Sequence, residues 1–396
     1  MDTSDLFKGI AVVIDDEIND ATANISNILS QITKEGIPFL AYTGIPSDQI
    51  ISNFQNLSFL LLDWRLIEGE IISGDLQGGV KAPPTLRAFE ADRNIEFIKK
   101  LKDICFCPVF IFTNEDQNEI IEKLKRGGVY STDKPNHIFV KSKSDITGRT
   151  KLVKEIDKWI KSSPSIYVLK EWENRYQQSK NKLFADFQEL SPIWPKILWK
   201  NFADDDANQS LELANLISRN LHTRMIPFEF SDEILRRRGR KIEKSELKSV
   251  LEGERYLCNE NLHENDIAPG DVFKISRRYY INIRAGCDLL PRGETDLDDV
   301  QLYLLKGCKL SPGKTNKIFK KEYGHFDEME SQAIFFPLDD GQAIDFRFKE
   351  LEIKKWSDVK IFRIGRILPP YINRIQQKYG LYIQRQGLPR LPKNAI

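Results

Sequence analysis

Five side chains in the first 141 residues could do chemistry together: Asp15, Asp16, Asp63, Thr113 and Lys141. Each follows a short apolar run. Ile10-Ala11-Val12-Val13-Ile14 leads into Asp15-Asp16-Glu17, and Phe59-Leu60-Leu61-Leu62 into Asp63. Val109-Phe110-Ile111-Phe112 leads into Thr113, and Ile138-Phe139-Val140 into Lys141. Where such runs are strands of an open α/β sheet, their carboxyl ends form the ligand crevice. Three acids, a hydroxyl and a lysine would then converge. Carboxylate oxygens suit a hard cation such as Mg²⁺. The set as a whole suits transfer of a phosphoryl group to a carboxylate.

The elements that must position these residues follow from periodicity. Residues 1–162 alternate apolar strands with amphipathic stretches, the pattern of a parallel sheet with crossover helices. Helices are expected from about Asp20 to Thr33, Ser47 to Asn53, Arg93 to Lys102, Gln117 to Lys125 and Lys151 to Lys161. Pro38-Phe39-Leu40-Ala41 reads as a weak second strand. Ser162-Ser163-Pro164 ends this first domain. Residues 165–250 read as a helical connector domain. From 251 to 396 the period shifts toward two, which implies a β-rich, barrel-like domain. Asp339-Asp340-Gly341 between apolar runs signals a hairpin there. A helix from about Pro369 to Gln386 closes the chain, with Pro near its start and Gly387 after it.

The bulk composition restricts the class. The 396 residues can form two or three domains, and 59 basic against 58 acidic residues give a net charge of +1. That balance exerts no global pull toward nucleic acid or acidic membranes. No apolar run reaches the length of a membrane span. The acidic start, Met1-Asp2-Thr3-Ser4-Asp5, is not a signal-peptide n-region, so a cytoplasmic location is expected. Five scattered cysteines make neither a disulfide framework nor a zinc-ligand spacing.

With those residues in place, the first 162 resemble the receiver domain of two-component response regulators. The resemblance implies a flavodoxin-like (βα)₅ fold. It also implies Mg²⁺ held by Asp15, Asp16, Asp63 and the backbone carbonyl of Arg65. Asp63 would be the phosphoacceptor, Lys141 would bind a phosphoryl oxygen, and Thr113 would move toward the phosphate. Enzymatic activity would amount at most to autodephosphorylation. The partner would be a sensor histidine kinase or GHKL-type ATPase, with no membrane or nucleic-acid partner. Three departures stand out. The interval from Asp63 to Thr113 is long, and its Gly/Pro-rich stretch from Ile67 to Asp92 reads as an insertion. Lys141 is followed by Ser142, where the family usually has a cis proline. The family's aromatic switch position, three before the lysine, is Ile138.

The downstream segments resemble receiver-domain proteins of bacterial conflict operons, which implies an antiphage setting. The resemblance rests on Pro269-Gly270-Asp271-Val272-Phe273, Gly286-Cys287-Asp288-Leu289 and the stretch from Arg363 to Pro389. Three features there admit other chemistry: Cys287-Asp288 with His325, Asp204-Asp205-Asp206, and the basic run Arg236 to Lys241. Plainer readings are a buried thiol, a helix-preceding acidic turn and a solvated connector. Two alternatives stand beside the phosphoacceptor. One is an adaptor whose receiver is silent. The other is a nucleic-acid-binding or toxic effector controlled by the receiver.

Overall fold

The structure is a computed structural model that describes residues 3–66, 84–131, 136–146, 151–205, 208–236, 241–291, 295–319, 331–335 and 343–385. Its chain divides into two compact units. The first comprises Met1–Glu189 with Arg219–Arg238, the second Leu190–Ser218 with Gly239–Ile396. The helical segment 165–250, expected as a domain of its own, is thus shared between them.

The first unit is a five-stranded parallel sheet with helices between the strands. In chain order it runs α1 (Thr3–Leu6), β1 (Ile10–Ile14), α2 (Asn24–Lys34), β2 (Phe39–Tyr42), α3 (Asp48–Ile51) and β3 (Leu57–Leu62). There follow α4 (Pro84–Ile104), β4 (Val109–Thr113), α5 (Gln117–Arg126), β5 (Ile138–Ser142), α6 (Lys143–Ile146), α7 (Lys151–Ser162) and α8 (Pro164–Leu190). The strand order is β2-β1-β3-β4-β5. This arrangement is compatible with a flavodoxin-like receiver fold.

Alternation sorts the core into two layers. Val12, Ile14, Leu60 and Leu62 face one set of helices, and Ala11, Val13, Phe59 and Leu61 face the other. Central β3, Leu-Ser-Phe-Leu-Leu-Leu, is buried along its whole length, as a parallel strand covered on both faces must be. Its one polar residue, Ser58, donates to the Phe7 carbonyl at 2.7 Å. In α2, Ile25, Ile28 and Ile32 recur at helical spacing and are buried. Helix α5 starts at Asp116, whose side chain accepts the Asn118 and Glu119 amides, and stops at Gly127-Gly128, with Gly128 at φ +74°.

Helix α4 differs most from expectation. It begins at Pro84, well before Arg93, because proline suits a first helical turn, where its missing N–H is not needed. The last nine residues of the supposed insertion, 84–92, are therefore helix. Residues 67–83 lie outside the described residues.

The second unit contains α9 (Trp194–Asp204), part of α10 (Gln209–Met225), and α12 (Lys244–Arg255). Helix α11 (Asp232–Leu235) belongs to the first unit, where Ile234 enters the core. A seven-stranded antiparallel sheet follows: β6 (Tyr256–Cys258), β7 (Asp271–Ile275), β8 (Arg278–Asn282), β9 (Gln301–Lys309), β10 (Gln332–Phe335), β11 (Ile344–Lys355) and β12 (Arg363–Ile367). Helices α13 (Pro312–Phe319), α14 (Trp356–Val359) and α15 (Tyr371–Gln384) complete it. The order β10-β11-β9-β8-β7-β12-β6 places β10 and β6 at opposite edges, yet Tyr256 and Phe335 lie ring to ring at 6.4 Å. The sheet therefore curls into a half-barrel. An irregularity in the β11–β9 pairing between Phe346 and Leu351 supplies local bending. Gly307 beside it has no room for a Cβ, which would meet Phe346 at 2.7 Å. Helix α15 fills the concave side with Ile372 and Ile375. Strands β10 and β11 pair antiparallel as a hairpin requires, while Asp339-Asp340-Gly341 lies outside the described residues.

Candidate phosphoacceptor and metal site

The carboxyl ends of the parallel strands carry the candidate site. Asp15 is the first residue after β1, and Asp63 the first after β3. Thr113 is the last residue of β4. Asp15, Thr113 and Asp63 are buried, and Asp16 is partly exposed. Asp15, Asp16 and Asp63 each place a carboxylate oxygen within 4.8 Å of the others, and such a group can hold a metal ion. It is the one group of this kind among the described residues.

The lysine at the site is Lys143, not Lys141. Lys143 Nζ lies 2.8 Å from Asp15 Oδ2 and 2.7 Å from Asp63 Oδ2, and the side chain is fully buried. Glu17 stands farther off, at 3.9 Å. Lys141 instead pairs with Glu155 of α7 at 2.9 Å and lies near the Phe139 ring. The expectation failed on the length of β5. Its apolar run ends at Val140, but the strand continues through Lys141 and Ser142, which pair with Phe112 and Thr113. Alternation then sends Lys141 to the α7 face with Phe139, and the first residue past the strand is Lys143. Asp15 and Asp63 likewise stand one residue past their strands, but for β5 the strand end is set by pairing with β4, and the sequence carried no signal for it. With Lys143 in this place, its successor is Ser144 and the residue three before it is Val140. Both departures from the receiver pattern persist.

Backbone and side-chain bonds fix the rest. Asp15 Oδ1 accepts the Glu17 amide at 2.9 Å. Asp63 Oδ1 accepts the Arg65 amide at 3.3 Å. Thr113 Oγ1 accepts the Glu115 amide at 3.1 Å. Asn94, buried on α4, donates to the Trp64 carbonyl at 2.7 Å and so ties the loop after Asp63 to the helix. Sequence reading missed Asn94, because a polar residue inside an amphipathic helix gives no sign of its target.

The electrostatics are those of buried carboxylates facing one buried lysine. Burial pushes the Asp63 carboxyl up to about 7; Lys143 opposes the rise and Asp15 adds to it. Burial also penalises the Lys143 ammonium, but its pairs with Asp63 and Asp15 outweigh that and hold its pKa above the usual lysine value. Two buried carboxylates facing one ammonium leave an excess of negative charge, which a cation would neutralise.

The downstream candidates do not assemble into a second site among the described residues. Cys287 is exposed and its thiol contacts Asp288 at 3.6 Å; His325 lies outside the described residues. Asp204 and Asp205 end α9 rather than precede a helix, and Asp206 is outside the described residues. Arg236 pairs with Asp232 at 3.2 Å on an exposed surface, and 237–240 are outside. No described helix is long and apolar enough to cross a membrane. Models of known protein families give no match for this chain, and neither do curated proteins.

Proposed function

We propose that the first unit is a Mg²⁺-dependent phosphoacceptor, that Asp63 carries the phosphoryl group, and that the protein signals as a response regulator. One observation carries this reading: the buried Lys143 ammonium bridges Asp15 and Asp63 at the edge of a three-carboxylate cluster. A structural ion pair needs one carboxylate per lysine. A phosphoryl site needs an acidic metal pocket with a cation beside the acceptor.

Asp15, Asp16 and Asp63 would hold the metal, with the Arg65 carbonyl as the expected fourth protein ligand. Mg²⁺ would supply positive charge against the phosphoryl oxygens. An ionised Asp63 oxygen attacks phosphorus, its bond to phosphorus forms, and the bond to the donor's leaving group breaks. The ammonium of Lys143 opposes the burial that raises the Asp63 carboxyl, which leaves part of it ionised at neutral pH, and would then pair with a phosphoryl oxygen as a point charge. Thr113, fixed at the end of β4, has its hydroxyl directed to the Glu115 amide. Exchange of that bond for one to the phosphoryl group would move the loop after β4. Such a switch needs no aromatic partner at Val140.

The donor would be a sensor histidine kinase or GHKL-type ATPase, and the antiphage setting follows from the downstream resemblance alone. Incubation of the purified chain with Mg²⁺ and phosphoramidate should add the mass of one phosphoryl group. Hydroxylamine should remove it, as it does an acyl phosphate, and Asp63→Asn should not acquire it. A chain that stays unmodified with both phosphoramidate and a cognate kinase is an adaptor, and the proposal fails.

A further inference from the structure

In the second unit, the connection from β8 to β9 lines a cavity of about 360 Å³. Sites for small molecules begin at about 300 Å³, so a small ligand fits. Arg284, which the Cys287-Asp288 motif did not include, anchors one wall. The buried Asn282 side chain accepts the Arg284 and Tyr303 amides at 3.2 and 3.3 Å and so fixes both backbones. The Arg284 guanidinium lies 5.2 Å from the centre of the Tyr303 ring, and its Nη1 donates to the Gln301 carbonyl. Its Nε is buried without an acceptor. Among the described residues no carboxylate stands within ion-pair distance of it. A half-buried cation without a counter-charge is costly. A guanidinium fork held in one place by an aromatic ring and a carbonyl suits a planar carboxylate.

The same cavity presents the opposite charge. Asp299, on its wall, pairs with Lys355 at 2.7 Å and is neutralised there. Asp288 is exposed and accepts the Cys287 thiol at 3.6 Å, and among the described residues no cation stands within ion-pair distance of it. One positive and one negative charge thus line a single cavity without pairing to each other.

We propose that this cavity binds a free α-amino acid, with the carboxylate held by Arg284 and the ammonium by Asp288. A zwitterion satisfies both charges at once. A simple carboxylate or a phosphate meets the repulsion of Asp288, and a simple amine meets that of Arg284. Leu290 and Val300 give the ligand's side chain an apolar wall. The ligand is read in the β-rich unit, by residues that take no part in the chemistry at Asp63.

The test uses the full chain without Mg²⁺ or phosphodonor, so that the phosphoacceptor reading does not enter. Cys287 is exposed at the cavity and serves as reporter; Cys258, also exposed but on β6, is the internal control. Alkylation by iodoacetamide is followed by peptide mapping. The probe is a pool of the common L-amino acids other than cysteine at about 1 mM each, which mostly fills a site of sub-millimolar affinity and should slow Cys287 about threefold. Cys258 should not change. The same pool with its amines acetylated, or with its carboxyls amidated, should not protect. Arg284→Gln and Asp288→Asn should each abolish protection by the free pool. If either variant loses its far-UV circular dichroism, the comparison of the three pools on the natural chain decides. Equal alkylation of Cys287 with and without the free pool, or equal protection by the blocked pools, overturns the proposal.

Discussion

Lys143 and Lys141 are separated by one residue and differ in environment in a way that thermodynamics can read. Lys143 is buried between two carboxylates. Its removal leaves buried negative charges without a partner, so Lys143→Met should cost about 3 kcal/mol at pH 8. Lys141 and Glu155 are both partly exposed, and Lys141→Met should cost less than about 1 kcal/mol. Urea unfolding of both variants checks the contrast, and equal losses would place the wrong lysine at the site. Asp63 adds a pH dependence. Its pKa is raised from the ordinary carboxylate value to about 7 when folded, so the folded state holds its proton more tightly. The associated stability is fully present below the unfolded pKa and is lost as pH rises through about 7. Asp63→Asn should therefore gain stability relative to the natural chain between pH 5 and pH 8. A difference that stays flat across that window would contradict the assignment.

At the scale of elements, the strand ends were legible where an apolar run and a strand end coincide. Ile14 and Leu62 end both run and strand, and the acids after them were found. The β5 run ends two residues before its strand does, because pairing with β4 carries Lys141 and Ser142 along. Backbone pairing sets that boundary, and it leaves no mark on local hydropathy. Helix α4 was hidden for a different reason: Pro84 reads as a breaker, yet opens a helix when it occupies the first turn. That helix has a task at the site. Asn94 holds the Trp64 carbonyl, and with it the loop that carries Asp63 and Arg65. Asn94→Ala should cost about 1–2 kcal/mol through the orphaned buried carbonyl. It should also weaken Mg²⁺ binding, read by titration of tryptophan fluorescence. Unchanged Mg²⁺ affinity would reduce Asn94 to a packing residue.

On the scale of the whole molecule, the parallel sheet and the curled antiparallel sheet were both legible, because period and strand spacing report them directly. The division of the helical segment 165–250 was not. Ile234 and Phe230 return to the first unit, and Ser231 donates to the Tyr167 hydroxyl at 2.7 Å. Such long-range returns leave no trace in local pattern. Two separate cores predict a selective response to metal. Mg²⁺ at ten times its dissociation constant should stabilise the first unit by about 1.4 kcal/mol. Calorimetry should then show one of two transitions rising while the other stays fixed. A parallel shift of both would mean that the metal acts elsewhere or that the units unfold together.

The central claim is a Mg²⁺-dependent phosphoacceptor at Asp63 in a pocket completed by Lys143. Borohydride reduces an aspartyl phosphate to homoserine, which marks its position in a peptide map. After phosphoramidate treatment, the mark should fall at position 63 alone, require Mg²⁺, survive Lys141→Met, and drop sharply with Asp16→Ala or Lys143→Met. Conversion at another aspartate, or at position 63 with equal yield in the presence of a chelator, would contradict it.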